Sequence, residues 1–222
     1  MLTNEHLSRQ SDILPSAVLG EPITIIGQGA VGSWTTLALA KMGFCNLTTF
    51  DHDKFDTVNL NSQFCRLRDI GQFKSEAVAA MVMEFTGVQV RYNTQRYESG
   101  IFPGIVISAV DSMAVRKRIW EQAKLSPFTR AVIDPRMAGQ ACQAYVMRPS
   151  EGVDRLDYEK TLYGDSEALQ ERCTEKAIIY TSNLLSGLVC KAVKDLLTKP
   201  NHLRIAIWDI AGDQFEAYHR EP

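Results

Sequence analysis

Short apolar runs alternate with longer amphipathic stretches over the first 135 residues. Ile23-Thr24-Ile25-Ile26 is a β-branched run of strand length, and Leu47–Phe50 is a second. Residues 30–42 have helical composition and are followed by Gly43, a residue suited to the position just past a helix end. Residues 75–85 read as another helix, with Ala and Met at its packing positions. Residues 88–92 alternate like a strand, 105–110 are a buried strand, 112–124 are helical, and 131–133 are again a strand. Strand alternating with helix predicts a parallel sheet with helices on both faces.

The last third has a different rhythm. Residues 141–147, 202–208 and 214–219 read as strands able to pair antiparallel, and 180–197 as a long amphipathic helix. Between them, residues 150–172 carry seven acidic side chains, few large aliphatics and two glycines. This stretch is expected to be a mobile, solvated loop, either a surface excursion or a functional lid. A polar N-terminal segment able to form a short helix ends between Pro15 and Pro22. With no internal repeat and no Pro/Gly/Ser linker, residues 1–222 are expected to form one domain. Its parts are an N-terminal arm at 1–20 and a mobile crossover loop at 150–178. The fold class is α/β, a doubly wound mixed sheet with antiparallel C-terminal strands.

Composition narrows the field. The 222 residues are 45% hydrophobic and 23% charged, which excludes disordered classes. The net charge of −2, from 24 basic and 26 acidic side chains, argues against general nucleic-acid binding. Apolar stretches are too short to span a bilayer, and residues 1–10 show no secretory signal. Five cysteines at irregular spacing, without a Cys-x-x-Cys pair, support neither a disulfide framework nor a zinc site. A reduced, cytoplasmic protein without zinc is expected.

Gly27-Gln28-Gly29-Ala30-Val31-Gly32 matches G-x-G-x-x-G directly after a predicted strand and at the opening of a helix. The first glycine allows the tight turn, the second lets backbone approach a phosphate, and the third lets helix pack on strand. Asp51, at the end of the next strand, can accept hydrogen bonds from ribose hydroxyls. This is a Rossmann-like nucleotide corner. Tight packing with no ligand is the alternative. The turn itself does not choose among NAD-dependent oxidoreductases, methyltransferases and adenylating enzymes.

The next segment narrows that choice. It reads Asp51-His52-Asp53-Lys54-Phe55-Asp56-Thr57-Val58-Asn59-Leu60-Asn61-Ser62-Gln63-Phe64 and continues through Asp69-Ile70-Gly71-Gln72-Phe73-Lys74. It resembles the ThiF/MoeB/HesA superfamily, which includes the ubiquitin-activating enzymes. Their run is D-x-D-x-V-x-x-S-N-L-x-R-Q-F, then D-I-G-x-x-K. Ser8-Arg9-Gln10 is similar to the family's N-terminal R-Q segment. Asp111-Ser112 through Arg116 is similar to its T-D-N-x-x-x-R turn, and Arg136 through Gln140 to its R-x-x-G-Q strand. Cys173 ahead of a long helix resembles its cysteine-bearing crossover.

The resemblance implies adenylation of the C-terminal glycine carboxylate of a small ubiquitin-like or sulfur-carrier protein, using ATP and Mg²⁺. It implies nucleotide contacts from Gly27, Gly29, Gly32, Asp51, Asp53, Asn59, Gln63 and Lys74, and a Mg²⁺ ligand in Asp111. It also implies a homodimer in which Arg9 reaches the partner's ATP. In some members a cysteine then takes the acyl group as a thioester, the role open to Cys173, flanked by Arg172 and Lys176. The physics agrees, because ATP brings about four negative charges that helix N–H groups alone cannot balance. Asp111 has a plainer reading as the cap of the helix beginning at Ser112. Ser62 departs from the family's phosphate-binding arginine, with Arg66 or Arg68 as possible replacements if 62–68 is helical. Other readings are adenylation of a small or tRNA-borne carboxylate, a non-catalytic scaffold subunit, and a nucleotide-dependent oxidoreductase.

Overall fold

The structure, a computed structural model, describes residues 4–162 and 178–219. Eight strands form one sheet in the order β3-β2-β1-β4-β5-β6-β7-β8. The strands are β1 (Ile23–Ile26), β2 (Leu47–Phe50), β3 (Arg91–Asn93), β4 (Gly104–Ser108), β5 (Thr129–Ala138), β6 (Ala141–Met147), β7 (Leu203–Asp209) and β8 (Gln214–His219). The helices are α1 (Ala30–Lys41), α2 (Lys74–Thr86), α3 (Met113–Leu125), α4 (Gly152–Glu159) and α5 (Ile179–Thr198). β1 to β5 pair in parallel, and β5 to β8 antiparallel. This is the expected doubly wound mixed sheet.

Strand periodicity divides the core into two layers, because successive side chains leave opposite faces. Ile23, Ile25, Ile105, Ile107 and Ile133 pack with α1, α2 and α5. Ile26, Val106 and Val132 pack with Ile119 and Trp120 of α3 and Tyr158 of α4. Local signals set the helix ends. Gly43 follows α1 at φ 97° and Gly87 closes α2 at φ 71°, both in the left-handed region that favours glycine. The Ser112 hydroxyl caps α3 by accepting from the Val115 N–H at 3.4 Å.

The strand read at 88–92 begins later, at Arg91, where pairing with Thr48 of β2 starts. β5 is longer than the three residues expected and runs through Pro135. Pro135 has no N–H to donate, but β4 ends its pairing opposite Ile133 and only β6 continues alongside. The hairpin from β5 to β6 turns at Gly139-Gln140.

The expected solvated loop at 150–172 requires a correction, because it starts with the helix α4. Asp154 and Tyr158, one turn apart, are buried together. Asp154 accepts from the Arg148 N–H at 2.8 Å and pairs with Arg204 of β7 at 3.2 Å. Tyr158 meets the edge of Trp120 at 4.9 Å between ring centroids. Glu159 accepts from Trp120 Nε1 at 3.1 Å and from Lys124 Nζ at 2.8 Å. The acids that suggested a solvated excursion include some that meet cations already waiting on the sheet and α3. Residues 163–177 lie outside the described part of the chain.

Among the described residues, no helix is long and apolar enough to cross a membrane. Trp120 is fully buried between α3 and α4. Trp120→Ala is therefore expected to lower unfolding free energy by about 3–5 kcal/mol in urea titrations. A loss below about 1 kcal/mol would show that α4 does not pack as described.

Candidate active site

A cleft of about 480 Å³ opens at the C-terminal ends of β1, β2, β4 and β5. β1 lies between β2 and β4, where strand order reverses and the connecting helices leave to opposite faces. Ligands of open α/β sheets bind at this position.

The glycine turn forms the floor. Gly27 has φ 97°, and a Cβ there would stand 2.2 Å from the Ala109 carbonyl oxygen. A Cβ on Gly32 would stand 1.9 Å from the Gly27 carbonyl oxygen. Both glycines are required by backbone crowding. Gly29 differs: a Cβ there would meet nothing within 4 Å, and its φ of −78° suits any residue. The space beside Gly29 belongs to the cleft. Gln28 locks the turn from behind, donating from Nε2 to the Gly27 carbonyl at 2.9 Å and accepting from the Thr36 hydroxyl at 3.0 Å.

Asp51 follows β2. Its Oδ2 accepts from the Gln28 N–H at 2.6 Å and its Oδ1 from the Asp53 N–H at 2.8 Å. Burial raises its pKa above the usual carboxylate value, while the two backbone N–H groups and the Lys74 charge work against that shift. Lys74 is the first residue of α2, its side chain 11% exposed, with Nζ 3.3 Å from Asp53 Oδ2. A buried cation at a helix N-terminus opposes the helix dipole, so it needs an anion nearby. Asp53 supplies one, and its side chain is exposed enough to be displaced.

Asp111 sits past β4, exposed and lining the cleft, with no hydrogen bond or ion pair to another described residue. It does not cap α3, because Ser112 does. Asn59 and Gln63 both line the cleft. Asn59 Oδ1 accepts from the Asp56 N–H at 2.9 Å, while the buried Gln63 Oε1 has no hydrogen-bond partner among the described residues.

The expected replacement for the missing arginine does not occur. Residues 62–66 are not helical; a short 3₁₀ turn begins only at Leu67. Arg66 is held by Asp69 at 2.9 Å and by Glu84, and Arg68 reaches Glu84 at 3.3 Å. Both arginines lie outside the cleft. The cation that sequence reading missed is Arg96, which lines the cleft and meets His52 Nε2 at 3.0 Å. It belongs to no motif, but its place three residues past β3, at the carboxyl edge of the sheet, was a usable signal. Arg9 is exposed on the N-terminal 3₁₀ helix Asn4–Gln10 and does not line the cleft. Cys173, with Arg172 and Lys176, lies outside the described residues. Of the other cysteines, burial pushes Cys142 up to about 11 and Cys190 up to about 12, so neither is a ready thiolate.

The cleft thus brings together the glycine turn, Asp51, Asp53, Asn59, Gln63, Lys74 and Asp111. A hard carboxylate lining a cleft of this kind suits a divalent cation that takes its other ligands from phosphate and water.

The chain is similar to several known proteins. The Arabidopsis thaliana NEDD8-activating enzyme E1 catalytic subunit is 36% identical over 104 residues, covering 44% of this chain and 23% of that protein. The Escherichia coli tRNA threonylcarbamoyladenosine dehydratase is 38% identical over 63 residues, covering 28% of this chain and 24% of that one. These matches thus span about a quarter of each relative. Among solved structures, E. coli MccB with AMPCPP and selenomethionine MccA superposes at a TM-score of 0.77 and 12% identity, over 99% of this chain and 73% of MccB. PaaA gives 0.75 and 17%, over 97% and 73%. Identities this low show the shared fold. The family model described as the ThiF family matches residues 16–220, nearly the whole chain. The chain belongs to the ThiF family.

Proposed function

We propose that residues 1–222 form an adenylation domain that binds ATP in this cleft and activates a carboxylate. The substrate class is the C-terminal glycine of a ubiquitin-like or sulfur-carrier protein. One observation carries the reading: an open glycine turn, an Asp111 with no partner among the described residues, and a buried Lys74 share a single cleft at the switch point of the sheet. The Arabidopsis relative's name, a NEDD8-activating subunit, supports the substrate class, and MccB's occurrence with AMPCPP supports the nucleotide.

In this reading Asp51 accepts hydrogen bonds from the ribose. The start of α1 and the open side of Gly29 take the phosphates. Lys74 exchanges Asp53 for phosphate oxygens, and Asn59 and Gln63 are neutral donors. Asp111 holds Mg²⁺, which supplies charge neutralisation at the phosphates when bound. The substrate carboxylate oxygen attacks the α-phosphorus, the bond to the β-phosphate bridge breaks, and pyrophosphate leaves. The residues contribute position and charge. Arg9 acts from a second copy in a homodimer, since it does not line the cleft of its own chain.

The two tRNA dehydratase relatives favour a tRNA-borne carboxylate as a second reading. The presence of both Lys74 and Asp111 in the cleft counts against a non-catalytic scaffold. ATP–pyrophosphate exchange separates these readings. Exchange driven by a carrier protein ending in glycine supports the first, exchange driven by tRNA the second, and NAD(H) binding without any ATP response overturns both.

Asp111→Ala is expected to lower exchange by about 10²–10³-fold with an unchanged unfolding midpoint; near wild-type exchange would remove Asp111 from the reaction. The glycines separate fold from function. Gly32→Ala is expected to cost about 1–3 kcal/mol of stability from its backbone collision. Gly29→Ala should cost less than about 1 kcal/mol yet weaken ATP binding measured by calorimetry, because its methyl enters the open space. Equal ATP affinity in Gly29→Ala would place the phosphates elsewhere.

Cys173→Ala is expected to keep exchange, which precedes acyl transfer. It should abolish a thiol-labile adduct formed by wild type with carrier protein and ATP. Persistence of that adduct in the variant would assign it to another cysteine.

A further inference from the structure

The wall of the cleft behind Asp111 contains a buried ion pair between Arg116 and Asp134, with side chains 8% and 0% exposed. Such a pair is rarely a net source of stability, because desolvation offsets its attraction and apolar residues of equal volume serve as well. What this pair does beyond stability is hold backbone. Arg116 donates to the carbonyls of Ser108 at 3.4 Å, Pro135 at 3.2 Å, and Val110. Ser108 ends β4, Pro135 lies in β5, and Val110 immediately precedes Asp111. One guanidinium thus fastens the turn carrying Asp111 to the end of β4 and to β5.

Asp134 in turn fixes the guanidinium. Its Oδ1 faces Arg116, while its Oδ2 accepts from the Tyr158 hydroxyl at 2.9 Å and from Arg136 Nε at 2.8 Å. Arg136 stacks on Tyr145 at 4.6 Å and donates to the Thr161 carbonyl and hydroxyl at 3.0 Å each. The Asp111 side chain has no described partner of its own, so its direction depends on the turn beneath it.

We propose that Asp134 is a positioning residue for Asp111, acting through Arg116, and that it sets the affinity of the cleft for the divalent cation bound with ATP. This rests on the nucleotide reading above. Groups that orient a metal ligand from behind typically change metal affinity when altered.

The test is calorimetric titration of Mg²⁺ into the full chain with ATP present, alongside ATP binding in EDTA. Asp134→Asn and Arg116→Lys are each expected to raise the Mg²⁺ concentration at half-saturation by about tenfold. Metal-free ATP affinity should not change. The double variant should be no worse than either single one, because both act through one unit. Arg116→Lys retains its charge, so its shift separates positioning from simple electrostatics. Tyr158→Phe removes one hydroxyl from Asp134 and keeps the test open if Asp134→Asn does not fold, with an expected shift of about twofold in the same direction. Wild-type Mg²⁺ half-saturation in folded Arg116→Lys and Tyr158→Phe overturns the proposal. So does an equal loss of ATP binding with and without metal. A wild-type chain that binds no ATP overturns the nucleotide reading and this proposal with it, whereas ATP binding whose Mg²⁺ dependence survives Asp111→Ala overturns this proposal alone.

Discussion

Three stretches of backbone meet where Gly27 passes the Ala109 carbonyl and Gly32 passes Gly27, with no room for a Cβ at either glycine. Much of the architecture follows from that contact. It draws the N-terminus of α1 onto the ends of β1 and β4, and the Ala109 N–H completes it by donating to Ile26 at 2.8 Å. α1 then leaves toward one face of the sheet and α3 toward the other, so a cleft opens between them. Larger residues at these two positions would push the helix outward and leave the cleft without its floor. Gly29, between them, carries no such steric demand. Its openness is therefore a property of the site and not of the packing.

The same contact governs electrostatics. α1, α2 and α3 all begin at residues that line the cleft or adjoin its lining: Ala30, Lys74 and the capping Ser112. Three helix N-termini directed at one opening favour an anion. Neither α1 nor α3 has an acidic residue in its first turn. Asp51 is the exception on the floor, and it is tied to two backbone N–H groups. A desolvated carboxylate held in this way is suited to accept hydroxyl hydrogen bonds, which fits a ribose more closely than a phosphate.

The parallel half was legible in the sequence because its signals are local. β-branched runs of strand length, Gly43 and Gly87 at helix ends, and the glycine turn each act within a few residues. The site residues clustered for the same reason, since they follow strand ends. What failed was long-range. Asp154 and Glu159 looked like solvent residues until Arg204, Lys124 and Trp120 were brought beside them by the sheet and α3. Arg66 looked free until Glu84, eighteen positions away on α2, arrived to share it with Asp69. Pro135 would normally end a strand, and only the order of neighbours allows it to remain inside one.

Ser62 gives that long-range effect a chemical consequence. It is 4% exposed, and its carbonyl accepts from Trp34 Nε1 at 2.9 Å, beside the contact between Trp34 and Phe64. The position where the family resemblance places an arginine is thus enclosed by packing, and neither nearby arginine is released to compensate. Among the described residues, the lysines and arginines lining the cleft are Lys74, Arg96 and Arg116. Arg116 is engaged by Asp134 and three carbonyls, and Lys74 is shared with Asp53. A polyphosphate in this cleft would therefore meet less side-chain positive charge than the family pattern supplies. In the proposed reading the difference would fall on Arg96, on a divalent cation at Asp111 and, if the chain pairs with a second copy, on the partner copy's Arg9. That shortage makes the placement of Asp111 matter more here than it would with the arginine present. It gives a physical reason for a buried Asp134 behind the turn that an apolar side chain could not replace.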